Sequence, residues 1–292
     1  MCSAGTMNEL RTIHDTRACI DAARRAERRI GFVPTMGALH RGHVSLIDAA
    51  ERDGAFVVVS IFVNPLQFGP GEDFARYPRD EQGDLGICRA ARVDAVFLPS
   101  VEDMYPPGAV TVIHVAKLTD TLCGPFRPGH FDGVATVVAK LLNIVRPDAA
   151  YFGEKDAQQL AVIRQMVRDL DMPVDVIGCP IVREADGLAL SSRNAYLSED
   201  ERRRATAISR ALQAARTEIA AGERRADALE RHMAAVVTAV RPTAVDYLSV
   251  VDAETLQPVE HVERAVLIAA AVRFGATRLI DNIRVDPREA GA

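Results

Sequence analysis

Residues 30–63, IGFVPTMGALHRGHVSLIDAAERDGAFVVVSIFV, decide the fold class of this chain. The run from Ile30 to Pro34 predicts a strand, and the residues from Val44 to Arg52 have the spacing of an amphipathic helix. Phe56 to Val63 is a continuous apolar run, which is typical of a strand buried on both faces of a parallel sheet. The stretch therefore predicts one β-α-β unit with parallel strands.

The rest of the first half repeats this alternation. Further strands are predicted at Ala95 to Leu98, Val110 to Val115, Ala149 to Phe152 and Val174 to Val182. Helical patterns separate them at Asp80 to Ala91, Val134 to Val145 and Ala157 to Leu170. Such alternation predicts an α/β fold with an open, doubly wound parallel sheet, which binds its ligands at the carboxyl ends of its strands.

The pattern changes in the last third of the chain. Ser198 is followed three residues later by Glu201, a capping-box spacing that predicts the start of a long helix. A second helix is predicted over Ala226 to Val240, and β-like runs follow at Val245 to Val251, Val266 to Val272 and Thr277 to Ile280. We therefore expect a first domain over residues 1–182 and a smaller α+β domain over residues 183–292.

The composition excludes several classes of protein. The formal net charge of -5 argues against nucleic acid or acidic membranes as partners, because both require a clustered basic face. No apolar run reaches the ~18 to 20 residues of a spanning helix, and residues 1–15 lack the apolar centre of a secretory signal. We expect a cytoplasmic protein.

Its five cysteines are widely spaced with no C-x-x-C pair, so we expect reduced thiols.

His40 and His43 follow the first strand of the β-α-β unit and open its helix. Histidines three residues apart share one helix face, and a helix start already favours an anion. Two imidazoles there can donate hydrogen bonds to phosphate oxygens and neutralise a leaving pyrophosphate. An isolated H-x-x-H is more often a pair of surface histidines, but Gly37, Gly42 and the preceding strand favour a phosphate site. The chain has neither a P-loop nor a dinucleotide-binding motif.

Polar side chains also follow two other predicted strands. Asn64 and Gln67 carry amides, which bind a carboxylate or hydroxyl without adding charge, although Asn-Pro is also an ordinary turn. Lys155 is one of only three lysines and stands where a loop ammonium can reach phosphates. Asp156 beside it can accept from ribose hydroxyls, and the alternative is a helix cap with a solvated ion pair.

The segment Leu190-Ser191-Ser192-Arg193-Asn194 follows the last strand of the first domain. Two hydroxyl groups and a guanidinium in one loop can form a mobile phosphate clamp. Serine-rich turns are common, however, so the segment by itself is a weak signal.

Together these segments resemble the pantothenate synthetase (pantoate:β-alanine ligase) family. The resemblance spans nearly the whole chain and rests on the motifs P-T-M-G-A-L-H-R-G-H, V-S-I-F-V-N-P-L-Q-F, R-P-G-H-F-D-G-V, F-G-E-K-D-x-Q-Q, L-S-S-R-N and R-L-I-D-N-I. It implies a Rossmann-like domain of the nucleotidylyl transferase type with a smaller C-terminal lid domain, and a homodimer. It also implies ATP with Mg²⁺: the pantoate carboxylate attacks the α-phosphate, and the β-alanine amine then attacks the acyl adenylate.

The resemblance also implies roles for individual residues. His43 would be the catalytic proton donor, with His40, Lys155 and Arg193 as the other catalytic residues. Gln67 and Gln159 would hold pantoate with Asn64 beside them, while the ligands of Mg²⁺ stay unassigned. Arg127 and His130 are further candidates. ATP would be lined by Met36, Gly37, Ala38, Leu39, His40, Arg41, Gly42, His43, Gly153, Glu154, Lys155, Asp156, Val182, Leu190, Ser191, Ser192 and Arg193.

Two alternative functions remain at this point. A nucleotidylyl transferase that stops after adenylylation would also use the H-x-G-H type histidines and the S-S-R segment. A non-catalytic nucleotide sensor on the same fold would bind ATP without turnover, although the presence of His40, His43, Lys155 and Arg193 argues against it.

Overall fold

The computed structural model describes residues 7–289, which divide into two compact units. The first unit comprises residues 7–115, 127–154 and 162–180, and the second comprises residues 116–126, 155–161 and 181–289. Three segments inside the expected first domain, 116–126, 155–161 and 181–182, thus group with the second unit.

The first unit contains a six-stranded parallel sheet. Its strands in chain order are β1 (Asn8–Leu10), β2 (Ile30–Thr35), β3 (Phe56–Ile61), β4 (Ala95–Phe97), β5 (Ala149–Gly153) and β6 (Asp175–Cys179). Their spatial order is β1-β4-β3-β2-β5-β6, so the chain builds outward from β2 in one direction and then in the other. This reversal between β2 and β5 is a topological switch point, where open α/β sheets bind their ligands.

Helices connect these strands. They are α1 (Ile13–Arg25), α2 (Arg41–Arg52), α3 (Glu81–Ala90), α4 (Val101–Met104), α5 (His130–Val145) and α6 (Ala157–Asp169). Val58 and Val59 of β3 are fully buried, as the continuous apolar run predicts. Side chains alternate between the two faces of a strand, so burial of both valines means that the sheet is covered on both sides.

The second unit pairs three helices with a three-stranded antiparallel sheet. Its elements are α7 (Glu199–Ala205), α8 (Ala207–Ala220), α9 (Ala226–Thr238), β7 (Ala244–Asp252), β8 (Val266–Phe274) and β9 (Thr277–Val285). The predicted capping box is confirmed, since Ser198 and Glu201 exchange hydrogen bonds between side chain and backbone. The predicted single long helix is wrong. It is interrupted at Thr206, whose hydroxyl donates to the carbonyl of Arg203 and so competes with regular helix geometry.

The predicted strand from Val110 to Val115 is absent from the described structure. Val110 and Val112 are 90% and 62% exposed, and the N–H of Ile113 donates to the Thr136 hydroxyl rather than to a neighbouring strand. A β-like sequence needs a backbone partner to become a strand, and no described segment supplies one. Conversely, β1 and α1 were not predicted from the sequence.

The cysteines agree with the expectation of reduced thiols only in part. Cys88, Cys123 and Cys179 are free and buried, whereas Cys19 is disulfide-bonded. Disulfide formation depends on how close two Cβ atoms come in the fold, which sequence spacing does not reveal.

Within residues 7–289, no helix is long and apolar enough to span a membrane.

Two helical glycines give opposite predictions for stability. A Cβ at Gly133 in α5 would overlap the backbone carbonyl of Leu66, whereas a Cβ at Gly86 in α3 would meet no atom within 4 Å. We expect Gly133→Ala to lower the free energy of unfolding by about 1–3 kcal/mol, the usual cost of overpacking. Gly86→Ala, the matched control, should raise it by up to about 1 kcal/mol through helix propensity. Urea denaturation measures both, and equal stability of the two variants would contradict the close packing at Gly133.

Candidate active site

The turn after β2 is held by a buried carboxylate. Gly37 and Ala38 have φ angles of 80° and 50°, and the carboxylate of Asp84 on α3 accepts from the N–H groups of Ala38 at 3.0 Å and Leu39 at 2.7 Å. A Cβ at Gly37 would lie 2.7 Å from an Asp84 oxygen. The glycine is therefore required by both the backbone conformation and the nearby carboxylate.

Asp84 is a site residue that the sequence motifs do not single out. It is 3% exposed, and burial raises its pKa while the N–H groups of Leu39 and Ala38 offset only part of this effect. A signal was available, since Asp84 precedes Leu85 and stands one turn before Cys88, on a face of α3 that is otherwise apolar. A carboxylate in such a place usually has a specific partner.

His40 and His43 form a reciprocal cap at the start of α2. The Nδ1 atom of His40 accepts from the N–H of Gly42 at 3.1 Å, and that of His43 accepts from the N–H of His40 at 3.2 Å. The ring centroids are 4.1 Å apart. Because both Nδ1 atoms are acceptors, the neutral rings carry their proton on Nε2. Each neutral ring therefore carries its Nε2–H on the side opposite the Nδ1 atom that caps the helix.

Asn64 lies in the loop after β3, and both ends of its side-chain amide are engaged in internal hydrogen bonds. Its Oδ1 accepts from the N–H of Leu66 and from the hydroxyl of Tyr105, and its Nδ2 donates to Gln67 Oε1 and to the carbonyl of Gly133. The residue is 1% exposed. Its amide thus fixes the surrounding loop and the orientation of the Gln67 side chain.

The side chain of Gln67 is oriented as a donor. Its Oε1 is occupied by Asn64, while its Nε2 donates to the thioether sulfur of Met36 at 3.0 Å. A thioether is a weak acceptor, so a carboxylate or hydroxyl oxygen can replace it at little cost. Gln67 is consequently prepared to donate to an oxygen-rich ligand.

Arg127 and His130 lie beneath the same loop. Arg127 forms a bidentate ion pair with Glu72, at 2.7 Å for both contacts, and donates from Nη1 to His130 Nε2 at 2.9 Å. A guanidinium can only donate, so His130 Nε2 is an acceptor and its Nδ1 carries the proton. This Nδ1 contacts the carbonyl of Gln67 at 2.8 Å.

The predicted site residues of the second unit begin with Lys155. Its carbonyl accepts from Asn282 Nδ2 at 2.8 Å, and its ammonium lies 3.8 Å from the Asp156 carboxylate. The side chain of Lys155 is 20% exposed. Asn282 belongs to the R-L-I-D-N-I motif, and this contact explains its presence because it fixes the backbone that carries Lys155.

The two glutamines of the F-G-E-K-D-x-Q-Q motif differ in their surroundings. Gln158 is buried, donates to the carbonyls of Leu118 and Thr121, and accepts from the N–H of Cys123. Gln159 is half-buried. The internal bonds of Gln158 hold the segment 118–123, which leaves Gln159 as the ligand candidate of the pair.

Hydrogen bonds to backbone groups connect the last group of predicted ATP-binding residues. The N–H of Leu190 donates to the carbonyl of Val182 at 3.0 Å, and Ser191 Oγ accepts from the N–H of Arg193 at 3.3 Å. Next to them Arg183 forms a bidentate pair with Asp281, at 2.6 and 2.9 Å. Ser192 and Arg193 lie in a short 3₁₀ helix, Ser192–Tyr196.

The structure therefore groups the predicted residues into two sets. The first unit holds those from Met36 to His43 together with Asn64 and Gln67, and with Gly153 and Glu154 at the end of β5. Because β5 is paired with β2, the last two lie at the same edge of the sheet as the histidine turn. The second unit holds Lys155, Asp156, Gln159, Val182, Leu190, Ser191, Ser192 and Arg193.

The hydrogen bonds predict opposite tautomers for the site histidines. Neutral His40 and His43 should carry their proton on Nε2, and neutral His130 should carry it on Nδ1. Long-range ¹H–¹⁵N correlation spectra of histidine-labelled protein distinguish the two tautomers, and single His→Gln variants assign the signals. Finding the same tautomer for all three rings would contradict this geometry.

Comparisons with known proteins agree with one another. A family profile described as Pantoate-beta-alanine ligase matches residues 8–284. The chain is 55% identical over 280 residues to the pantothenate synthetase of Heliobacterium modesticaldum, covering 96% of this chain and 100% of that one. Among solved structures, the pantothenate synthetase of Thermus thermophilus has a TM-score of 0.90 and 49% identity, with coverage of 95% and 99%.

A third relative carries ligands. The pantoate-beta-alanine ligase of Francisella tularensis, described as complexed with beta-gamma ATP and beta-alanine, has a TM-score of 0.78 and 34% identity. It covers 98% of this chain and 100% of its own. With the family profile spanning nearly all described residues and relatives above 50% identity, this chain belongs to the pantoate–β-alanine ligase family.

Proposed function

We propose that this chain condenses pantoate with β-alanine to form pantothenate, using ATP and passing through pantoyl adenylate. The observation that carries the proposal is the His40 and His43 pair, whose Nε2 donors stand at the switch point of a sheet in a chain of this family. The Francisella relative, with beta-gamma ATP and beta-alanine, supports the choice of ligands.

The first step activates the acid. A carboxylate oxygen of pantoate forms a bond to the α-phosphorus of ATP, and the bond from that phosphorus to the β-phosphate oxygen breaks. His43 and His40 donate from Nε2 to phosphate oxygens as negative charge builds on the leaving pyrophosphate. Donors that are already held in place by backbone hydrogen bonds need no reorganisation during the reaction.

The second step transfers the acyl group. The deprotonated β-alanine amine forms a bond to the carbonyl carbon, the bond from that carbon to the phosphate oxygen breaks, AMP leaves, and the nitrogen releases one proton to solvent. No covalent bond to the enzyme is required. Gln67 and Gln159 hold pantoate by hydrogen bonds, and exclusion of water protects the adenylate from hydrolysis.

The second unit supplies further cationic groups for the nucleotide. Lys155, with its backbone fixed by Asn282, acts on the phosphates, and Arg193 acts as the second cation. Asp156 binds the ribose hydroxyls. Val182 and the segment from Leu190 to Ser192 line the nucleotide, and the division into domains 1–182 and 183–292 remains part of this proposal.

Mg²⁺ is the proposed companion of ATP. Residues 7–289 contain no group of three or more His, Cys, Asp or Glu side chains that could hold a metal. Mg²⁺ bound to a nucleotide takes most of its ligands from phosphates and water and needs only one or two carboxylates. Glu154 and Asp156 are the carboxylates within the proposed nucleotide segment. When bound, the ion would supply neutralisation of phosphate charge.

A homodimer and a cytoplasmic location complete the proposal. The exposed valines Val110 and Val112 support the dimer, because apolar side chains that lie close together on a surface favour burial against another chain. A second copy can supply the backbone partner that the predicted strand from Val110 to Val115 lacks within the described chain.

The reaction is tested by isotope exchange. With ATP and pantoate alone, labelled pyrophosphate should be incorporated into ATP, and AMP should accumulate only after β-alanine is added. A nucleotidylyl transferase that stops after adenylylation would not respond to β-alanine. A nucleotide sensor would bind ATP without any exchange, and faster exchange with another acid would show that the substrate is wrong.

Removal of a phosphate-binding group should slow turnover without unfolding the protein. We expect His43→Ala and Lys155→Ala each to lower kcat by about 10² or more, as loss of a transition-state contact does. His14→Ala and Lys117→Ala, at exposed positions, are the matched controls and should retain normal activity. Near-normal kcat in a folded His43 or Lys155 variant removes that residue from the mechanism.

The dimer proposal predicts a specific effect of charge at Val112. Val112→Asp should weaken self-association by about tenfold or more, because a carboxylate in an interface core must be desolvated without a partner. Leu170→Asp, at an exposed apolar position of the same unit, is the control. Sedimentation velocity measures both. A monomeric wild-type chain, or a Val112 variant that associates normally, would refute this interface.

A further inference from the structure

The backbone carbonyl of Gln67 accepts two hydrogen bonds from charged or ring nitrogens. His130 Nδ1 donates to it at 2.8 Å and Arg127 Nη2 at 3.2 Å. Gln67 is the last residue of a short 3₁₀ helix, Pro65–Gln67, whose backbone lies close to Gly133 in the first turn of α5. Two donors on one carbonyl restrict where this residue can move.

Glu72 holds Arg127, one of these two donors, through an ion pair. Both of its oxygens accept from Arg127, at 2.7 Å each. Burial alone would raise the pKa of Glu72, but the hydrogen bonds and charge of Arg127 more than offset this, so the pKa is lowered. The carboxylate is therefore ionised at neutral pH, and the arginine charge is already neutralised inside the protein.

The donors of Arg127 are almost fully used. A guanidinium has five N–H groups, and four of them take part in the bonds to Glu72, His130 and Gln67. Its side chain is 14% exposed. An arginine in this state has little capacity left for a phosphate, in contrast with the proposed role of Arg193.

We propose that Arg127 and His130, held by Glu72, are positioning residues that aim the Gln67 side chain at pantoate and do not bind ATP. The inference rests on the proposed function and deepens it. Gln67 is then fixed at both ends: its carbonyl by Arg127 and His130, and its amide oxygen by Asn64. What remains is the Nε2 donor, whose present acceptor is only the sulfur of Met36.

The consequence is a selective dependence of pantoate binding on residues that do not touch it. If the carbonyl of Gln67 loses its donors, the short helix can shift relative to α5 and the Nε2 donor leaves its position. The contacts of His40 and His43 to ATP are unaffected, because the turn before these histidines is held separately by Asp84. The network therefore changes the KM for pantoate and not the KM for ATP.

The experiment compares Glu72→Gln, Arg127→Met, the double variant and Arg127→Lys. We expect each of the first two to raise the KM for pantoate about tenfold, equivalent to one lost charged hydrogen bond, with the KM for ATP and kcat at saturating pantoate within about twofold. The double variant should resemble Arg127→Met, because the two residues act as one unit. Arg127→Lys keeps the charge but loses the bidentate geometry of the guanidinium. Its KM for pantoate should fall between those of wild type and Arg127→Met.

Glu81→Gln and Arg11→Met remove an exposed ion pair of the same unit and serve as controls with unchanged kinetics. The proposal is overturned if the KM for ATP rises instead, or if the KM for pantoate stays constant. It is also overturned if kcat falls and both KM values rise in proportion to a loss of melting temperature. If Arg127→Met does not fold, Glu72→Gln and Arg127→Lys decide by the same criteria. Absence of pantoate-dependent exchange in the wild type would instead refute the proposed function, so the two failures are distinguishable.

Discussion

The pairing of β2 with β3 on one side and β5 on the other is the constraint on which the candidate site depends. Three parallel strands in this order end at one edge of the sheet, and each is followed by a loop rich in polar groups. The histidine turn follows β2, the Asn64 loop follows β3, and Gly153 ends β5. Without the reversal of strand order at β2, these loops would not belong to one crevice.

Buried polar groups hold the candidate residues within each unit. In the first unit Asp84 fixes the turn before His40 and Asn64 fixes the amide of Gln67, and in the second unit Asn282 fixes the backbone of Lys155. In each case an internal hydrogen bond holds the backbone or the side chain of a residue that is proposed to contact a ligand. Such preorganisation is how enzymes stabilise charge without reorganising during the reaction. The motifs of this family therefore contain two kinds of residue, those that are proposed to touch ligands and those that hold them.

The sequence predicted the parallel sheet, the elements β2, α2 and β3, and the capping box at Ser198, because these depend on local periodicity and spacing. It did not reveal Asp84, Glu72 or the role of Asn282, since each acts on a residue far away along the chain and only the fold brings them together. The strand expected at Val110 to Val115 failed for the same reason, because its local pattern cannot supply a backbone partner. The structure gives Gln158 a separate role, because its side chain bonds to the backbone of the segment 118–123.

The central claim is that a pantoate oxygen attacks the α-phosphorus of ATP. Its most direct test uses pantoate labelled with ¹⁸O in the carboxylate, incubated with the enzyme, ATP and β-alanine, followed by mass spectrometry of the products. One ¹⁸O atom is expected in AMP and none in pyrophosphate, because AMP leaves with the carboxylate oxygen that formed the adenylate. Unlabelled AMP, or label in pyrophosphate or inorganic phosphate, would contradict it.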